Sequence, residues 1–358
     1  MYKLFKMETK IKNECNGHRK AMPVTFLCIF TLWLTAGCSA AEKTRVRLGY
    51  FPNLTHSQAL IGVAKGAFSN ALGTDVELDT KTFNAGPSVI EAMFAGELDI
   101  AYIGPNPAIN GYIKSGGEAL KIVAGATSGG AALVVRNGAG INSAGDFHGK
   151  KIASPQLGNT QDVALRSWLK KNNYRLKEKG GDVEVIPVNN PDQFTLFVKN
   201  EIDGAWTVEP WVSRLVKEGG GRVFLEEKSL WPEGDFVTAQ VIVSSKFLRR
   251  HPGLLEKFLR AHIEQTIWIN SNIEEAKRIV NSEIKKLTGK PLGDDIINEA
   301  FKRIRITCDP VKQSLFACAQ AAYEQGFLGK DMPDLSGIYD LTILNRILKE
   351  KELPQIEE

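Results

Sequence analysis

The sequence predicts an α/β protein of two similar lobes with a cleft between them and a helical C-terminal part. Three observations carry this prediction. Short apolar runs alternate with helical patterns from Arg45 onward, one stretch of this pattern recurs later, and residues 252–358 are mostly helical in pattern. The composition agrees, because 43% of the 358 residues are hydrophobic and 24% are charged, as in folded globular chains.

Residues 1–37 have the pattern of a signal peptide. Six basic and two acidic residues in this stretch account for the whole net charge of +4, and an apolar run over 24–34 leads into small residues. The run is too short for a permanent membrane helix. Met7 is an alternative start. The rest of the chain is neutral overall, which argues against binding to nucleic acid.

The end of the apolar run, Leu-Thr-Ala-Gly-Cys, resembles a bacterial lipobox and places the cysteine at Cys38. The resemblance implies that Cys38 is acylated and anchors the protein to a membrane. Thr35 stands where a lipobox has an aliphatic residue, and Leu34 lies one position earlier. The alternative is an ordinary signal peptide cleaved near Ala40 or Ala41. Both readings predict an exported, periplasmic or cell-surface protein.

Cys308 and Cys318 are the only cysteines after this leader. Two cysteines without a histidine nearby in sequence do not form a zinc site, so no metal is predicted. In an oxidising compartment they predict either one local disulfide or two small buried thiols, and the sequence leaves both open.

The strand candidates are short and several are continuously apolar, which is typical of parallel strands covered on both faces. They lie at 46–50, 76–80, 100–103, 122–126, 132–135, 151–154, 183–187, 205–208 and 237–243.

An internal repeat links two parts of this pattern. Each copy has an acidic pair before a strand that contains a large aromatic residue, and then a turn with proline and a helix closed by glycines. The matching pairs, each 104 residues apart, are Glu97 and Glu201, Asp99 and Asp203, and Tyr102 and Trp206. Two similar lobes are therefore predicted.

The lobe bounds follow from the repeat and from the helical tail. The tail cannot form a large core alone, so we expect the chain to return from lobe 2 to lobe 1 and to pack its C-terminal helices there. The predicted bounds are 38–130 for the first part of lobe 1, 131–234 for lobe 2 and 235–358 for the return to lobe 1.

Catalytic signatures are absent from the sequence. It contains no HExxH, GxSxG or Walker A motif, and no GxGxxG follows a strand. Ser167 and Lys170 match SxxK, but they lie in a helical pattern without the accompanying motifs. We therefore expect no enzyme activity and no cofactor.

Four turns rich in glycine, amide and hydroxyl residues lie between a strand and a helix. Such turns can bind a small anion, because the first N–H groups of a helix have no partner within it. In an open α/β sheet they gather at the carboxyl ends of the strands. For any single turn, helix capping by Asn, Ser or Thr is the simpler interpretation. The turns are 51–58, 84–88, 158–162 and 208–211.

These turns, with Gly-Glu-Leu-Asp-Ile-Ala at 96–101 and Trp-Thr-Val-Glu-Pro-Trp at 206–211, resemble solute-binding proteins of ABC importers for nitrate, sulfonates and taurine. The resemblance covers about 45–327. It implies a two-lobed periplasmic-binding-protein fold of type II, a small anionic ligand, and an ABC permease and its ATPase as partners.

The resemblance also implies a set of ligand-binding residues. Helix N-termini and polar loops of the two lobes would contact an anionic group, and an aromatic and an acidic residue would close the pocket. The set is Asn53, Thr55, His56, Gly86, Ser88, Asn106, Asn159, Thr160, Trp206 and Glu209. Sulfonate and taurine receptors often have a longer polar residue where Ser88 stands, so the substrate is left open.

The leading interpretation is capture of a solute by lobe closure about two crossings, near 126–134 and 236–241. One alternative is a binding protein for pyrimidine precursors of thiamine. Another is an enzyme on the same fold, similar to the yeast-type pyrimidine synthase or to chorismate dehydratase, but the exported leader argues against it and the cysteine-rich motif of the synthase is missing. A ligand sensor is a third, but no signalling segment follows the body.

Overall fold

The computed structural model describes residues 43–357, so the predicted signal peptide and the predicted acylation site Cys38 lie outside the described residues. Every predicted strand is present. The strands are β1 (Thr44–Tyr50), β2 (Val76–Thr82), β3 (Ile100–Ile103), β4 (Leu120–Gly129), β5 (Ala131–Arg136), β6 (Lys151–Ser154), β7 (Glu184–Pro187), β8 (Gly204–Val208), β9 (Gly221–Glu226), β10 (Val237–Ser244) and β11 (Ile304–Ile306).

Helices connect most of these strands and form the C-terminal part. They are α1 (Ser57–Ala64), α2 (Ala67–Leu72), α3 (Gly86–Phe94), α4 (Pro105–Lys114), α5 (Thr160–Lys171), α6 (Asn190–Val198), α7 (Trp211–Lys217), α8 (Ser245–Arg250), α9 (Pro252–Ser271), α10 (Ile273–Thr288), α11 (Asp294–Arg303), α12 (Lys312–Glu324) and α13 (Thr342–Glu350). Over residues 43–357, none of these helices combines the length and the apolar character that a bilayer span requires.

The strands form two sheets of matching order. The first is β11-β4-β10-β3-β1-β2 and the second is β7-β6-β8-β5-β9. Each sheet has one antiparallel strand near its centre, β10 in the first and β5 in the second. The prediction of parallel strands is therefore wrong for these two strands, and β11, which was not predicted, is also antiparallel to its neighbour. β5 and β10 are each the first strand after the chain crosses from one sheet to the other, and each runs opposite to the strands on both of its sides.

The first crossing is a pair of glycines. Gly129 and Gly130 join β4 to β5 with φ angles of 79° and 81°, a left-handed conformation that glycine adopts without steric cost. A Cβ atom on Gly129 would lie 2.7 Å from the carbonyl oxygen of Arg303, so the close approach also requires glycine. The chain returns between Glu226 and Val237. We call the unit around the first sheet lobe 1 and residues 131–226 lobe 2; the exact predicted bounds stay a prediction.

The repeated aspartate has the same structural role in both lobes. Oδ2 of Asp99 accepts the backbone N–H of Arg47 at 2.9 Å, and Oδ2 of Asp203 accepts that of Lys151 at 2.9 Å. In return, the N–H groups of the two aspartates donate to the carbonyl oxygens of Arg47 and Lys151. Asp99 thus joins the start of β3 to β1, and Asp203 joins the start of β8 to the start of β6.

The C-terminal helices complete lobe 1. Alternate residues of its sheet enter two apolar clusters, one on each face, as the two-residue period of a strand requires. Helices α1, α2, α9, α10 and α13 contribute to the cluster on one face, and α3, α4 and α12 contribute to the cluster on the other.

These two faces also separate the cysteines. Cys308 packs against the first cluster and its Sγ lies 3.4 Å from Oγ1 of Thr266, whereas Cys318 belongs to the second cluster. Both are free thiols, which contradicts the predicted disulfide between Cys308 and Cys318; of the predicted two buried thiols, Cys318 is buried and Cys308 is half-buried. Burial raises the pKa of both thiols, that of Cys308 to about 11, which keeps them unreactive at neutral pH.

Candidate functional site

A small cavity lies between the lobes, where loops at the carboxyl ends of strands from both sheets meet. We call it the interlobe cavity. Its volume of about 30 Å³ is room for about two water molecules, so the lobes are closely apposed. It is lined by Phe51, Asn53, Thr55, His56, Asn84, Ala85, Gly104, Pro155, Asn159, Thr160, Gln161, Asn190, Val208 and Thr238.

Lobe 1 contributes the loop after β1, in which three predicted residues line the cavity. Nδ1 of His56 accepts the backbone N–H of Phe51 at 3.2 Å, which shapes this loop. Burial lowers the pKa of His56 to about 3, so the ring is neutral and its proton is on Nε2. Oδ1 of Asn53 accepts the indole N–H of Trp211 from lobe 2 at 3.1 Å. The third residue, Thr55, is almost fully buried.

Lobe 2 contributes the start of α5. Oδ1 of Asn159 accepts the N–H of Thr160 at 2.8 Å, while Oγ1 of Thr160 is buried without a hydrogen-bond partner. Asp162 fixes the conformation of this loop. Its carboxylate accepts hydrogen bonds from the hydroxyl of Ser154 at 2.6 Å and from the backbone N–H of Gly158 at 2.9 Å. Burial raises the pKa of Asp162, against the opposing effect of the nearby Arg166 guanidinium.

The N-terminal ends of α3, α4 and α5 approach one another across the cavity. A Cβ atom on Gly104, just before α4, would lie 2.6 Å from Oγ1 of Thr160 in the other lobe. A Cβ atom on Gly86, the first residue of α3, would lie 2.3 Å from Cγ of Pro107 and 3.5 Å from Oδ1 of Asn159. Glycine at both positions therefore allows three helix N-termini, each with free N–H groups, to converge.

Two predicted residues point away from the interlobe cavity, and the prediction that they close it is wrong. Trp206 is fully buried in the lobe 2 core, because its position along β8 faces the side covered by α5, and its Nε1–H donates to Oε2 of Glu227 at 2.6 Å. Glu209 is also fully buried. It accepts the N–H and hydroxyl of Ser213 at 3.1 and 2.9 Å and pairs with Arg303 at 3.1 Å. Burial raises the pKa of Glu209 to about 7 despite these partners.

Three further predicted residues lie near the cavity but not on its wall: Gly86, already placed beside Asn159, and Ser88 and Asn106. Ser88 is half-buried in the first turn of α3. Asn106 is buried in α4, and its Nδ2 donates to the carbonyl oxygen of Cys318 at 3.3 Å. Asn106 instead lines a larger groove, which we call the side groove. Its wall also includes Thr160, Trp168, Glu227 and Trp231, so Thr160 borders both spaces.

Sequence reasoning missed part of the lining. Phe51 and Gln161 lie inside the turns that were singled out, but Asn190 and Thr238 do not. Asn190 precedes Pro191 at the start of α6, which is a helix-start signal that could have drawn attention to it. Thr238 lies in β10 next to the return crossing, and no local pattern marks it.

The chemistry of the interlobe cavity is that of neutral hydrogen-bond donors. No residue on its wall is a Lys, Arg, Asp or Glu, and the one histidine is held neutral. Converging helix N-termini and amide, hydroxyl and imidazole donors can stabilise a small anion without a counter-charge. Within residues 43–357, no group of three or more His, Cys, Asp or Glu side chains is arranged to hold a metal ion.

Comparisons with known proteins agree with this architecture. The sequence model of the NMT1-like family matches residues 39–283. The taurine-binding periplasmic protein of Escherichia coli (strain K12) is 23% identical over 322 residues, which cover 86% of this chain and 94% of that protein.

Two solved structures share the fold at low identity. The alkanesulfonate-binding protein SsuA from Xanthomonas axonopodis pv. citri, bound to MOPS, matches with a TM-score of 0.66 at 17% identity over 81% of this chain and 96% of its own. The periplasmic nitrate-binding protein NrtA from Synechocystis PCC 6803 matches with a TM-score of 0.69 at 16% identity over 87% and 90%. The predicted fold class, two lobes of the periplasmic-binding-protein type II kind, is confirmed.

Proposed function

Because this chain belongs to the NMT1-like family, we propose that it is the extracytoplasmic solute-binding component of an ABC importer that captures a small anionic solute, such as a sulfonate, taurine or nitrate. The observation that carries the proposal is the interlobe cavity, where neutral donors from both lobes and three helix N-termini converge. Relatives that bind taurine, alkanesulfonate and nitrate support the anionic class.

Capture would couple to closure of the lobes. Contacts already join them on either side of the cavity: the indole of Trp211 donates to Asn53, and the guanidinium of Arg303, on α11, pairs with Glu209 and Glu226 of lobe 2. A ligand that contacts both walls adds to these contacts only in the closed form. It therefore shifts the population towards closure, and an ABC permease with its ATPase would recognise that form.

Ligand capture can be tested with a panel of nitrate, bicarbonate, taurine, alkyl- and arylsulfonates and thiamine precursors in calorimetry and thermal shift. A ligand at 100 times its Kd should add about 2.7 kcal/mol to the free energy of unfolding. The Thr160→Val variant keeps the shape but removes the unpartnered hydroxyl, and should weaken binding about tenfold. The matched control is Thr195→Val, which removes an exposed hydroxyl on α6 and should leave binding unchanged. If no anion binds, the proposed function is wrong.

We also propose that Cys38 carries the lipid anchor after removal of residues 1–37, which would hold the protein at the membrane beside its permease. The motive is the lipobox-like segment that ends at Cys38. A Cys38→Ser variant should appear in the soluble exported fraction, measured by fractionation and blotting, with labelling by a fatty-acid analogue lost. Unchanged membrane association of Cys38→Ser would contradict the anchor and leave the ligand site untouched.

A further inference from the structure

One arginine of lobe 1 is held by two carboxylates of lobe 2. Arg303 ends α11, whose apolar residues Ile297 and Ala300 belong to a lobe 1 cluster. Its Nη1 donates to Oε1 of Glu209 at 3.1 Å, and its Nε donates to Oε1 of Glu226 at 2.9 Å. The side chain of Arg303 is 19% exposed and that of Glu209 is fully buried. The contact is therefore a largely buried ion pair between the lobes.

The same pair lies against the first crossing between the lobes. The backbone N–H of Glu209 donates to the carbonyl oxygen of Gly130 at 2.8 Å, and a Cβ atom on Gly129 would lie 2.7 Å from the carbonyl oxygen of Arg303. Two successive glycines have the backbone freedom that a hinge needs. Rotation at Gly129 and Gly130 therefore changes the distance between the guanidinium of Arg303 and the carboxylate of Glu209.

The carboxylate of Glu209 is oriented by its own lobe. The N–H and hydroxyl of Ser213 donate to Oε2 and Oε1 at 3.1 and 2.9 Å, so lobe 2 fixes the position of the negative charge. Its cationic partner, Arg303, comes from lobe 1. Glu209 directly follows Val208, which lines the interlobe cavity. The ion pair is thus coupled to the cavity wall through the backbone, although Arg303 itself is not on that wall.

The ion pair stabilises the closed arrangement more than an open one. In the closed arrangement the guanidinium supplies the counter-charge that a buried carboxylate requires. When the lobes separate, water can hydrate both groups, so each loses its dependence on the other. Removal of Arg303 alone would leave Glu209 buried and unpaired in the closed form only, which shifts the population towards the open form.

We propose that Arg303 and Glu209 form an interlobe latch, in which Arg303 is a positioning residue that stabilises the closed form and thereby sets the affinity for every solute by the same factor. The effect on affinity rests on the proposed function, whereas the effect on lobe closure does not. The latch also gives Glu209 a role in closure that needs no contact with the solute.

The first test measures closure without a solute. In small-angle scattering, the Arg303→Met variant should have a larger radius of gyration than the wild-type protein. The matched control is Arg260→Met, because Arg260 pairs with Glu256 and Glu350 inside lobe 1 and its loss should leave the radius unchanged. Melting curves establish that both variants are folded. An unchanged radius in folded Arg303→Met overturns the latch.

The second test measures affinity for nitrate and methanesulfonate by calorimetry at pH 8. For each of these anions that binds, Arg303→Met should raise the Kd at least about tenfold, as expected for loss of hydrogen bonds between charged groups. The factor should be the same for both anions, since Arg303 acts on closure. Arg260→Met should keep the wild-type values. A loss confined to one of two anions that bind would show that Arg303 recognises the solute, and would overturn the latch.

A rescue variant separates the latch from a merely structural role. At pH 8, above the pKa of about 7 that burial gives Glu209, Arg303→Met leaves a buried charge without a partner. The double variant Arg303→Met/Glu209→Gln removes this charge and keeps an acceptor for Ser213. Its radius should return towards that of the wild type, and its affinity should recover at least about threefold. No recovery in the folded double variant would show that Arg303 acts through packing alone.

The outcomes distinguish the two proposals. If neither these anions nor the wider panel bind, but unliganded Arg303→Met has the larger radius and the double variant restores it, the proposed function is wrong and the latch stands. If wild type and Arg303→Met bind an anion equally well and have equal radii, the latch is wrong and solute capture stands.

Discussion

The two lobes place different chemistry at one equivalent position. Tyr102 of lobe 1 and Trp206 of lobe 2 occupy the same place in the repeat, and each donates to a buried acceptor. The hydroxyl of Tyr102 donates to Nδ1 of His262 at 2.7 Å, whereas the indole of Trp206 donates to Glu227 at 2.6 Å. Burial lowers the pKa of His262 to about 4 and raises that of Glu227 to about 7, so both acceptors tend towards neutrality.

The difference lies in what surrounds each acceptor. His262 comes from α9, is fully buried, and also donates through Nε2 to the carbonyl oxygen of Gly125 at 2.9 Å, so all its hydrogen bonds are satisfied within lobe 1. Glu227 lines the side groove, and no Lys or Arg of the part of the chain that the structure describes pairs with it. A satisfied buried group serves stability, whereas a buried carboxylate without a counter-charge is costly to ionise.

The largest expected effect concerns the repeated aspartate. Both carboxylate oxygens of Asp99 accept hydrogen bonds from the Arg47 guanidinium, and Oδ2 also accepts the backbone N–H of Arg47. The side chain of Asp99 is 8% exposed. Removal leaves these donors unpaired, so Asp99→Ala should lower the free energy of unfolding by about 3 kcal/mol. Asp203 is 22% exposed with a longer contact to Arg136, so Asp203→Ala should cost about 1 kcal/mol.

Urea unfolding of the two alanine variants measures this difference. The Asn variants are the matched controls, since they keep one acceptor and should recover part of each loss. Equal destabilisation of the two lobes would contradict the unequal roles of the two aspartates.

The second prediction concerns His262. Because its folded-state pKa is lowered from 6.5 to about 4, it contributes stability that is present above pH 6.5 and lost as pH falls towards 4. The loss is on the order of 3 kcal/mol. In His262→Gln this part of the decline should be absent, so the stability gap between wild type and variant should shrink from pH 7 to pH 4.5. A constant gap in urea midpoints would show that His262 does not remain neutral.

The third prediction has the opposite sign. The folded-state pKa of Glu227 is raised from 4.5 to about 7, so its contribution is present below pH 4.5 and is lost as pH rises through 7. Glu227→Gln should therefore gain stability relative to wild type between pH 4.5 and 7.5, by at most about 3 kcal/mol. Thermal melting across this range measures the gain, and a relative loss on raising the pH would refute it.

The smallest effect is expected at a second repeated position. Phe94 and Val198 end α3 and α6, 104 residues apart, and are 47% and 49% exposed. Serine at either position should change the free energy of unfolding by less than about 0.5 kcal/mol. A larger change in only one variant, measured by urea unfolding, would reveal a packing role that the matching exposures do not indicate.

Much of the fold was predictable because its signals are local or repeated. The apolar runs located nine strands, and the constant offset between Asp99 and Asp203 indicated two lobes before any contact was known. The missed strands were β9 and β11. β9 begins at Gly221, in a glycine run that predicts a helix end, and β11 has only three residues, too few for a two-residue period to be detected.

The site was only partly predictable, for a geometric reason. Turns locate residues near a cleft, which is why Asn53, His56 and Asn159 reach the cavity wall. Strand alternation then decides which side chains face it. The motif predicts that Trp206 closes the pocket. Side chains alternate between the two faces of β8, however, and the side chain of Trp206 lies on the face that packs in the lobe 2 core. Glu227 was not singled out, because its burial and its hydrogen bond to the indole of Trp206 come from contacts that no local sequence pattern shows.

The position of β10 determines the order in which the lobes can be completed. Lobe 2 is one continuous stretch, and its antiparallel strand β5 comes first in it. The first sheet, by contrast, receives β10 between β3 and β4 only after the whole of lobe 2 has passed. When the chain is made or exported from its N-terminus, β3 and β4 therefore have no strand between them, and their facing edges stay unpaired until residue 244 is available. Truncation within α7 would leave both sheets unfinished, and a circular permutant opened in lobe 2 would divide the strands of that lobe between the two ends of the chain.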